Sequence, residues 1–218
     1  MEHPLTPMEI RILGCLIEKK MATPDYYPLS LNALVNACNQ KSNREPVMAA
    51  SEDAVLDGID SLTERRMVFQ SRLSRVLKYE ETFLNEKNFV PEESAILCVL
   101  LLRGPQTVGE IRGRTERLYT FEDLDHVSRT MDNLIFRNYA KGLERQPGRK
   151  EVRYAHTLGG AVEDEAASND EIAPERPSPK RDDAEARIQA LEEKVEALTM
   201  ALDELKAQFM EFKENQGR

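Results

Sequence analysis

The sequence is poor in the residues that most often build reactive or metal-binding sites. Its 218 residues include no tryptophan, three histidines and three cysteines. Its longest apolar stretch, residues 95–102, is far shorter than the roughly 20 residues of a membrane-spanning helix. The start of the chain also lacks a basic segment followed by an apolar core, so we expect no secretory signal. These absences predict a cytoplasmic protein that does not enter the membrane.

The scarce histidines and cysteines also argue against catalysis. His3, His126 and His156 lie far apart in the sequence, and the chain has no Cys-x-x-Cys, His-Glu-x-x-His, phosphate-loop or Gly-x-Ser-x-Gly motif. The three cysteines each lie in an apolar, helix-like stretch without a neighbouring histidine or arginine, which is typical of reduced core residues. We therefore expect no metal, no cofactor and no enzymatic activity.

Charge is distributed unevenly along the chain. The net charge is -9. Up to residue 160 there are 22 Lys and Arg against 23 Asp and Glu, whereas the remainder holds 8 against 16. The acidity therefore belongs to the tail, and the near-neutral front part neither demands nor excludes a nucleic-acid partner.

The first 82 residues predict three helices and a hairpin. Thr6, Pro7 and Glu9 provide an N-cap, a first-turn proline and a capping-box acid for the first helix. Ser30 and Ser51 are suitable caps for a second helix over residues 31–39 and a third over residues 51–66. Two alternating stretches, residues 67–72 and 75–79, predict the strands of a hairpin.

The same pattern recurs further along the chain. Pro91 and Glu93 repeat Pro7 and Glu9 at an offset of 84 residues, and the offset shrinks to 72 at the third helix. Thr107 opens a copy of the second helix, and residues 139–145 and 151–156 predict a second hairpin. The repeat predicts a mainly α fold with small β-hairpins (α+β), organised as winged helix-turn-helix domains at residues 1–82 and 83–158. Two unrelated α+β pieces are the alternative.

The tail predicts a disordered acidic linker over residues 159–183 and a coiled-coil helix over residues 184–214. The linker is rich in Pro, Ala, Ser and acids and has too few apolar residues to offset its ordering entropy. The helix carries apolar residues alternating by three and four, with β-branched residues at several a positions and Leu at most d positions, which favours a parallel homodimer. A helix that packs back on its own domain is the alternative. The heptad positions are Ile188, Leu191, Val195, Leu198, Leu202, Leu205, Phe209 and Phe212.

The predicted third helix has chemistry that is wrong for reading DNA. Four acids recur at helical spacing opposite its apolar face: Asp53, Asp57, Asp60 and Glu64. DNA phosphates would repel this face, whereas a basic protein partner would fit it; a plain solvated surface is the alternative. In the second copy, Phe136 falls on the outward face, which favours contact with protein.

Three polar or basic patches remain as candidate phosphate contacts. The first is the second hairpin, with Arg145, Arg149, Lys150 and Arg153. The second is the polar loop 39–46, whose Lys41, Asn43 and Arg44 would face a phosphate or a partner's backbone. Solubilising charge on the hairpin, and a loop that satisfies its own backbone groups, are the alternatives. The third is Arg112, Arg114 and Arg117, just after the short helix over residues 108–111, which could also bind phosphate without sequence specificity.

Three segments resemble a known family. LTPMEIRILGCLIEKK, YYPLSLNALVNACNQKSNREP and GRKEVRYAHTL are similar to the YceH-like family of bacterial proteins, which is described as being of unknown function. The resemblance covers the front part of the chain, to about Leu158. It implies a tandem winged-helix fold in a bacterial cytosolic protein, and it carries over no catalytic residue and no ligand.

Two functional hypotheses follow from the sequence. The first is a DNA-associated regulatory protein that contacts duplex DNA through its hairpins and the 39–46 loop, with the third helix standing off. The second is a protein–protein interaction adaptor that uses the acidic third helix and the coiled coil without binding DNA.

Overall fold

The computed structural model describes residues 4–71, 76–144 and 151–160. Within them the chain forms seven α-helices and five strands in small antiparallel sheets, so the predicted α+β class is confirmed. The predicted heptad helix, nearly all of the predicted linker, and residues 72–75 and 145–150 lie outside the described residues.

The first half of the molecule combines a helical cluster with a three-stranded sheet. Its elements are α1 (Pro7–Ala22), β1 (Leu29–Ser30), α2 (Leu31–Cys38), α3 (Glu52–Glu64), β2 (Val68–Ser71) and β3 (Lys78–Glu81). The strand order is β1-β3-β2, and both pairings are antiparallel. The two-residue strand β1 is not predictable from alternation, because it is too short to show a pattern. A single helical turn, α4 (Phe83–Glu86), leads to the second half.

The second half repeats this order of elements. It contains α5 (Pro91–Arg103), α6 (Val108–Thr115), α7 (Leu124–Phe136), β4 (Ala140–Gly142) and β5 (Tyr154–His156). Gln106 forms an isolated antiparallel bridge with Tyr154, at the place where the first half has β1 paired with β3. The internal repeat predicted from sequence is therefore present in the backbone.

Most of the predicted helix starts are confirmed. Thr6 and Glu9 form a full capping box on α1, Thr107 and Glu110 form another on α6, and the side chain of Ser51 caps α3. At α5 the arrangement is one-sided, because a valine side chain has no hydrogen-bonding group. There the backbone N–H of Val90 donates to Oε2 of Glu93 at 3.4 Å.

The helices α1 and α5 form the centre of the fold. Residues 11–18 and 93–102 are all buried, as expected for helices covered on every side. They cross closely at Gly14, where an added Cβ would lie 2.8 Å from Cδ2 of Leu102. The thiol of Cys98 contacts the carbonyl oxygen of Gly14 at 3.6 Å, and the sequence offset of 84 makes these two positions equivalent.

The two repeats close their helical clusters with equivalent contacts. Arg65, which ends α3, lies 3.7 Å from the Glu9 carboxylate, and Arg137, which ends α7, pairs with Glu93. The residues that follow, Arg66 and Asn138, take left-handed backbone conformations with φ of 57° and 60°. The same side-chain chemistry therefore fastens the third helix to the first in each repeat.

Both repeats belong to one compact unit, residues 1–165. Its larger core joins the first repeat to one side of α5, through Leu97 and Leu101, whereas the other side of α5 contributes Ile96 and Leu100 to a second core. The three cysteines are free thiols within this interior. None of the described helices combines the length and the apolar character that crossing a bilayer requires.

Candidate nucleic-acid interface

The outward face of α3 carries the predicted acids. Its core side consists of Val55, Ile59 and Leu62, all nearly inaccessible to solvent. The four acids on the opposite side are exposed: Asp53, Asp57, Asp60 and Glu64. The predicted orientation of this helix is confirmed, whereas contact between its acids and a partner remains a prediction.

The outward face of α7 differs in chemistry. Asp125, Arg129 and Asp132 are exposed, so the charges are mixed. Phe136, at the end of the helix, is 88% exposed, the highest value among the large hydrophobic side chains described. Covering an exposed aromatic ring with a partner is favourable, because it removes apolar surface from water. The prediction that Phe136 is exposed is confirmed, and its contact with a partner remains a prediction.

The loop 39–46, together with the residues up to α3, is internally braced. The side-chain amide of Asn39 donates to the carbonyl oxygen of Ala50 at 2.9 Å and accepts from the N–H of Ala50 at 2.6 Å. The N–H of Glu45 donates to the carbonyl oxygen of Leu102 at 2.8 Å, which ties the loop to the end of α5. Several of its polar groups therefore satisfy the protein's own backbone, the alternative considered for this loop.

Arg44 is an interior residue, which corrects the prediction that it faces a nucleic acid. It is 4% exposed, and its guanidinium donates to both carboxylate oxygens of Glu18, at 2.5 and 3.2 Å. Further bonds run to the carbonyl oxygen of Ala37 and to the side chain of Gln40, at 3.1 and 3.0 Å. These bonds satisfy a buried cation, so Arg44 has a structural role.

Glu18 is the carboxylate on which this buried network converges. Burial alone would raise the pKa of Glu18, but hydrogen bonds and charge from Arg44, with charge from Arg117 and Lys19, hold it below its usual value. Glu18 thus stays ionised inside the protein. The signal in the sequence was an acid in the middle of an apolar helix, directly after Leu16 and Ile17.

Three arginines at the end of α5, in α6 and just after α6 form a group in which the charges of two, Arg114 and Arg117, act on the third, Arg103. We name this group the arginine junction. Burial lowers the pKa of Arg103, and the positive charges of Arg114 and Arg117 lower it further. Arg103 donates to the side-chain oxygen of Asn43, while Arg117 pairs with Glu18. Arg103 is thus linked to the loop 39–46 through Asn43, and Arg117 is linked to α1 through Glu18.

The remaining predicted cations lie at different depths. Lys41 is exposed on the loop, whereas Asn43 is half-buried against Arg103. Arg153 is half-buried just before β5, at the end of the β4–β5 pair where Leu143 bonds to it, and lies 3.7 Å from the Glu110 carboxylate. Arg145, Arg149 and Lys150 lie outside the described residues. A phosphate therefore has access to Lys41 and to part of the Arg153 side chain.

The described residues contain no group of His, Cys, Asp and Glu side chains arranged to hold a metal ion. An open hollow of about 530 Å³ lies beside α6 and has Arg112 and Glu116 as its charged lining residues. The apolar wall of this hollow includes Phe121 and Leu124. No pair of lining residues has the arrangement of a nucleophile with its base.

Comparison with known proteins assigns the chain to a family. A family model described as "Protein of unknown function, DUF480" matches residues 5–149. The chain belongs to this family. This confirms the resemblance to a bacterial family of unknown function that the sequence indicated.

Relatives of the DUF480 protein align over most of their length. A UPF0502 protein of Solibacter usitatus is 47% identical over 215 residues, covering 96% of this chain and all of the relative. A UPF0502 protein of Vibrio vulnificus is 46% identical over 216 residues, covering 95% of this chain and 97% of the relative. One from Koribacter versatilis is 53% identical over 157 residues, covering 71% of this chain and 73% of the relative.

Proposed function

We propose that this DUF480 protein consists of two winged-helix units and acts as a non-enzymatic, DNA-associated regulatory protein that holds duplex DNA by its phosphates. The supporting observation is the order of elements, found twice: a helix, a two-helix unit, and a hairpin whose second strand pairs with the segment before the second helix. Winged-helix proteins have this order and commonly place the hairpin against DNA.

The chemistry of the surface determines which parts would contact DNA. The second hairpin carries Arg153 just before β5, and the sequence between its strands adds Arg145, Arg149 and Lys150. Lys41 adds an exposed cation in the first repeat. Phosphates would repel the acidic outward face of α3, so that helix stands off. Contacts of this kind carry little sequence information, and we expect binding that depends weakly on base sequence.

A titration of duplex DNA at two salt concentrations tests this function. Counterion release predicts a steep loss of affinity with salt, and the Arg149→Glu/Lys150→Glu variant should lose binding. The matched control is Arg129→Glu on α7, which changes the same type of charge away from the hairpin. An absence of binding by the wild-type protein at low salt would rule the proposal out.

The second candidate function is an adaptor that binds a basic protein. The specific observation in its favour is the exposed acidic face of α3, together with Phe136 exposed at the end of α7. In a pull-down, the Asp57→Lys/Asp60→Lys variant should lose a partner that the wild type retains. An unchanged set of partners would count against the adaptor.

We also propose that the heptad segment, residues 184–214, pairs two copies of the chain. Its support is the sequence pattern of apolar residues at a and d positions. Light scattering on a chain that ends at Asp183 should give the mass of a monomer, while the full chain gives that of a dimer. A truncated chain that is still dimeric would assign the interface to the globular part.

A further inference from the structure

The arginine junction is assembled from both repeats and is held in place by the backbone. Arg103 lies in the last turn of α5, while Arg114 and Arg117 come from α6 and the residue segment after it. Asn43 has a left-handed conformation, with φ of 59°, and its side-chain oxygen accepts from Arg103. The bond between Glu45 and Leu102 fixes the loop beside them. The cations are therefore pre-positioned.

Positive charge at this place exceeds the negative charge that faces it. Glu18 is shared by Arg44 and Arg117, and Glu110 is shared by Arg114 and Arg153. Glu45 also lies near Arg103. Among these residues, five arginines face three carboxylates. The cluster therefore carries an excess of two positive charges that a bound anion could offset.

Two arginines of the cluster have donors that the described protein leaves unused or pairs weakly. Arg103 forms its hydrogen bond with the neutral side chain of Asn43, and no ion pair links it to a described residue. The buried Nε of Arg153 has no hydrogen-bond partner within the described part of the chain. A donor left without an acceptor inside a protein is costly, and a bound anion would supply acceptor atoms to both arginines.

We propose that the arginine junction is a phosphate-binding site, distinct from the proposed DNA contacts at residues 145–150, in which Arg103, Arg114 and Arg117 hold one phosphate group. A guanidinium group donates two parallel hydrogen bonds whose geometry matches two phosphate oxygens. A phosphate monoester carries close to two negative charges, which would balance the excess positive charge of the cluster. The phosphate comes either from a small phosphorylated molecule or from a nucleic-acid backbone. The site does not depend on the proposed DNA contacts of Arg145, Arg149 and Lys150, whereas Arg153 contributes charge to both.

Calorimetric titration of inorganic phosphate and pyrophosphate into the full chain tests this site. The wild type should bind both, and the Arg103→Ala/Arg117→Ala variant should lose roughly tenfold to a hundredfold in affinity, the effect of removing hydrogen bonds to a charged group. The matched control is Arg112→Ala/Arg129→Ala, which removes two exposed arginines outside the junction. It should bind as the wild type does.

Further variants keep the test decisive. Far-UV circular dichroism establishes that the junction variant is folded; if it is not, Arg117→Ala alone is used, because the Arg117 side chain is 46% exposed. The Arg103→Lys/Arg117→Lys variant keeps the positive charges but loses the planar guanidinium donors. Its phosphate affinity should therefore lie between that of the wild type and that of the Arg103→Ala/Arg117→Ala variant. Absence of phosphate binding by the wild type, or equal losses in junction and control variants, would overturn the proposal.

Two additional titrations identify the source of the phosphate. If saturating duplex DNA displaces pyrophosphate from the wild type, the junction takes a nucleic-acid backbone. If pyrophosphate binds equally well with DNA present, the junction takes a small phosphorylated molecule. The Arg149→Glu/Lys150→Glu variant should retain pyrophosphate binding. This result separates failure of the proposed hairpin function from failure of the junction site.

Discussion

The two repeats share their internal contacts and differ on their outward faces. In each, an acid in the first turn of the first helix meets the arginine that ends the third helix, as Glu9 with Arg65 and Glu93 with Arg137. The buried positions also correspond, as with Val55 and Val127. The outward positions do not correspond in chemistry, since Glu64 in α3 is replaced by Phe136 in α7.

This difference separates the residues that maintain the fold from those available for binding. Interior positions are constrained by close packing, in which a change of even one methylene is felt. Outward positions are free of that constraint. Packing of the core therefore does not require acids on the exposed face of α3 or an aromatic ring at Phe136. The outward faces are therefore where the two repeats differ most in chemistry.

The largest expected effect concerns a buried position at which the repeats differ. Glu18 is equivalent by the offset of 84 to Leu102, so only the first repeat buries a carboxylate there. We expect Glu18→Gln to lower the free energy of unfolding by about 3–5 kcal/mol, because it leaves Arg44 charged and buried. Urea denaturation measures the change.

The control for Glu18 is an ion pair of the same type near the surface. Glu110 pairs with Arg114 at 3.4 Å, and both side chains are about one-third exposed. Glu110→Gln keeps the capping bond to Thr107 and should cost less than about 1 kcal/mol. Equal effects of the two variants would contradict the structural role given to the Glu18–Arg44 pair.

The second prediction concerns the residues just before the end of each repeat. In the first, Glu81 accepts from Lys20 and from the N–H of Leu84, at 2.6 and 2.9 Å. In the second, Nδ1 of His156 is buried and lacks a hydrogen-bond partner among the described residues, and burial lowers the pKa of His156 to about 4. Between about pH 4 and pH 6.5, His156 is therefore neutral in the folded protein but protonated in the unfolded chain.

The sign of the pH effect follows from this lowered pKa. The unfolded chain takes up the proton below about pH 6.5, whereas the folded chain does so near pH 4, so stability is highest above pH 6.5 and falls towards pH 4. The loss should approach about 3 kcal/mol. Urea midpoints measured across this range should fall less in His156→Leu than in the wild type. Parallel curves would disprove this linkage.

The third prediction compares two helical glycines. An added Cβ at Gly14 would lie 2.8 Å from Cδ2 of Leu102 and 3.2 Å from Cβ of Leu101, whereas one at Gly113 would meet nothing within 4 Å. Gly14→Ala should lower the free energy of unfolding by about 1–2 kcal/mol, because overpacking at the crossing of α1 and α5 exceeds the gain in helix propensity. Gly113→Ala should raise it by about 0.5–1 kcal/mol. Thermal denaturation followed by circular dichroism compares them, and stabilisation by both would show that the crossing is loose.

The fourth prediction concerns the arginine that directly follows α7. Arg137 pairs with Glu93, and its guanidinium lies 4.5 Å from the ring centre of Phe89. Arg137→Ala should cost about 1–2 kcal/mol from the combined loss of the ion pair and the cation–π contact. Arg129→Ala, at an exposed position on the same helix, should change stability by less than about 0.5 kcal/mol in denaturant titrations. A larger effect at Arg129 would mean that α7 has an outward contact of structural importance.

Sequence reasoning succeeded where the signal was local and periodic. The caps Thr6, Ser30, Ser51 and Thr107 and the repeated order of elements are recorded in neighbouring residues. The acidic face of α3 followed from helical spacing once its apolar side was placed against the core.

Sequence reasoning failed where a side chain finds its partner far along the chain. Arg44 reads as an exposed loop cation, but its partner Glu18 is 26 residues away. The contact between Arg103 and Asn43 spans 60 residues and joins the two repeats, so local patterns contain no trace of it. The tertiary packing of α1 against α5 is what brings these groups together.

The proposal that the second hairpin holds DNA while α3 stands off is tested most directly by comparing the DNA affinity of two variants. One reverses charge on the second hairpin, Arg149→Glu/Lys150→Glu, and the other reverses charge on the outward face of α3, Asp57→Lys/Asp60→Lys. At low salt, the hairpin variant should lose DNA binding, while the α3 variant should bind at least as tightly as the wild type because phosphate repulsion is removed. Unimpaired binding by the hairpin variant, with loss in the α3 variant, would contradict the division of roles between the repeats.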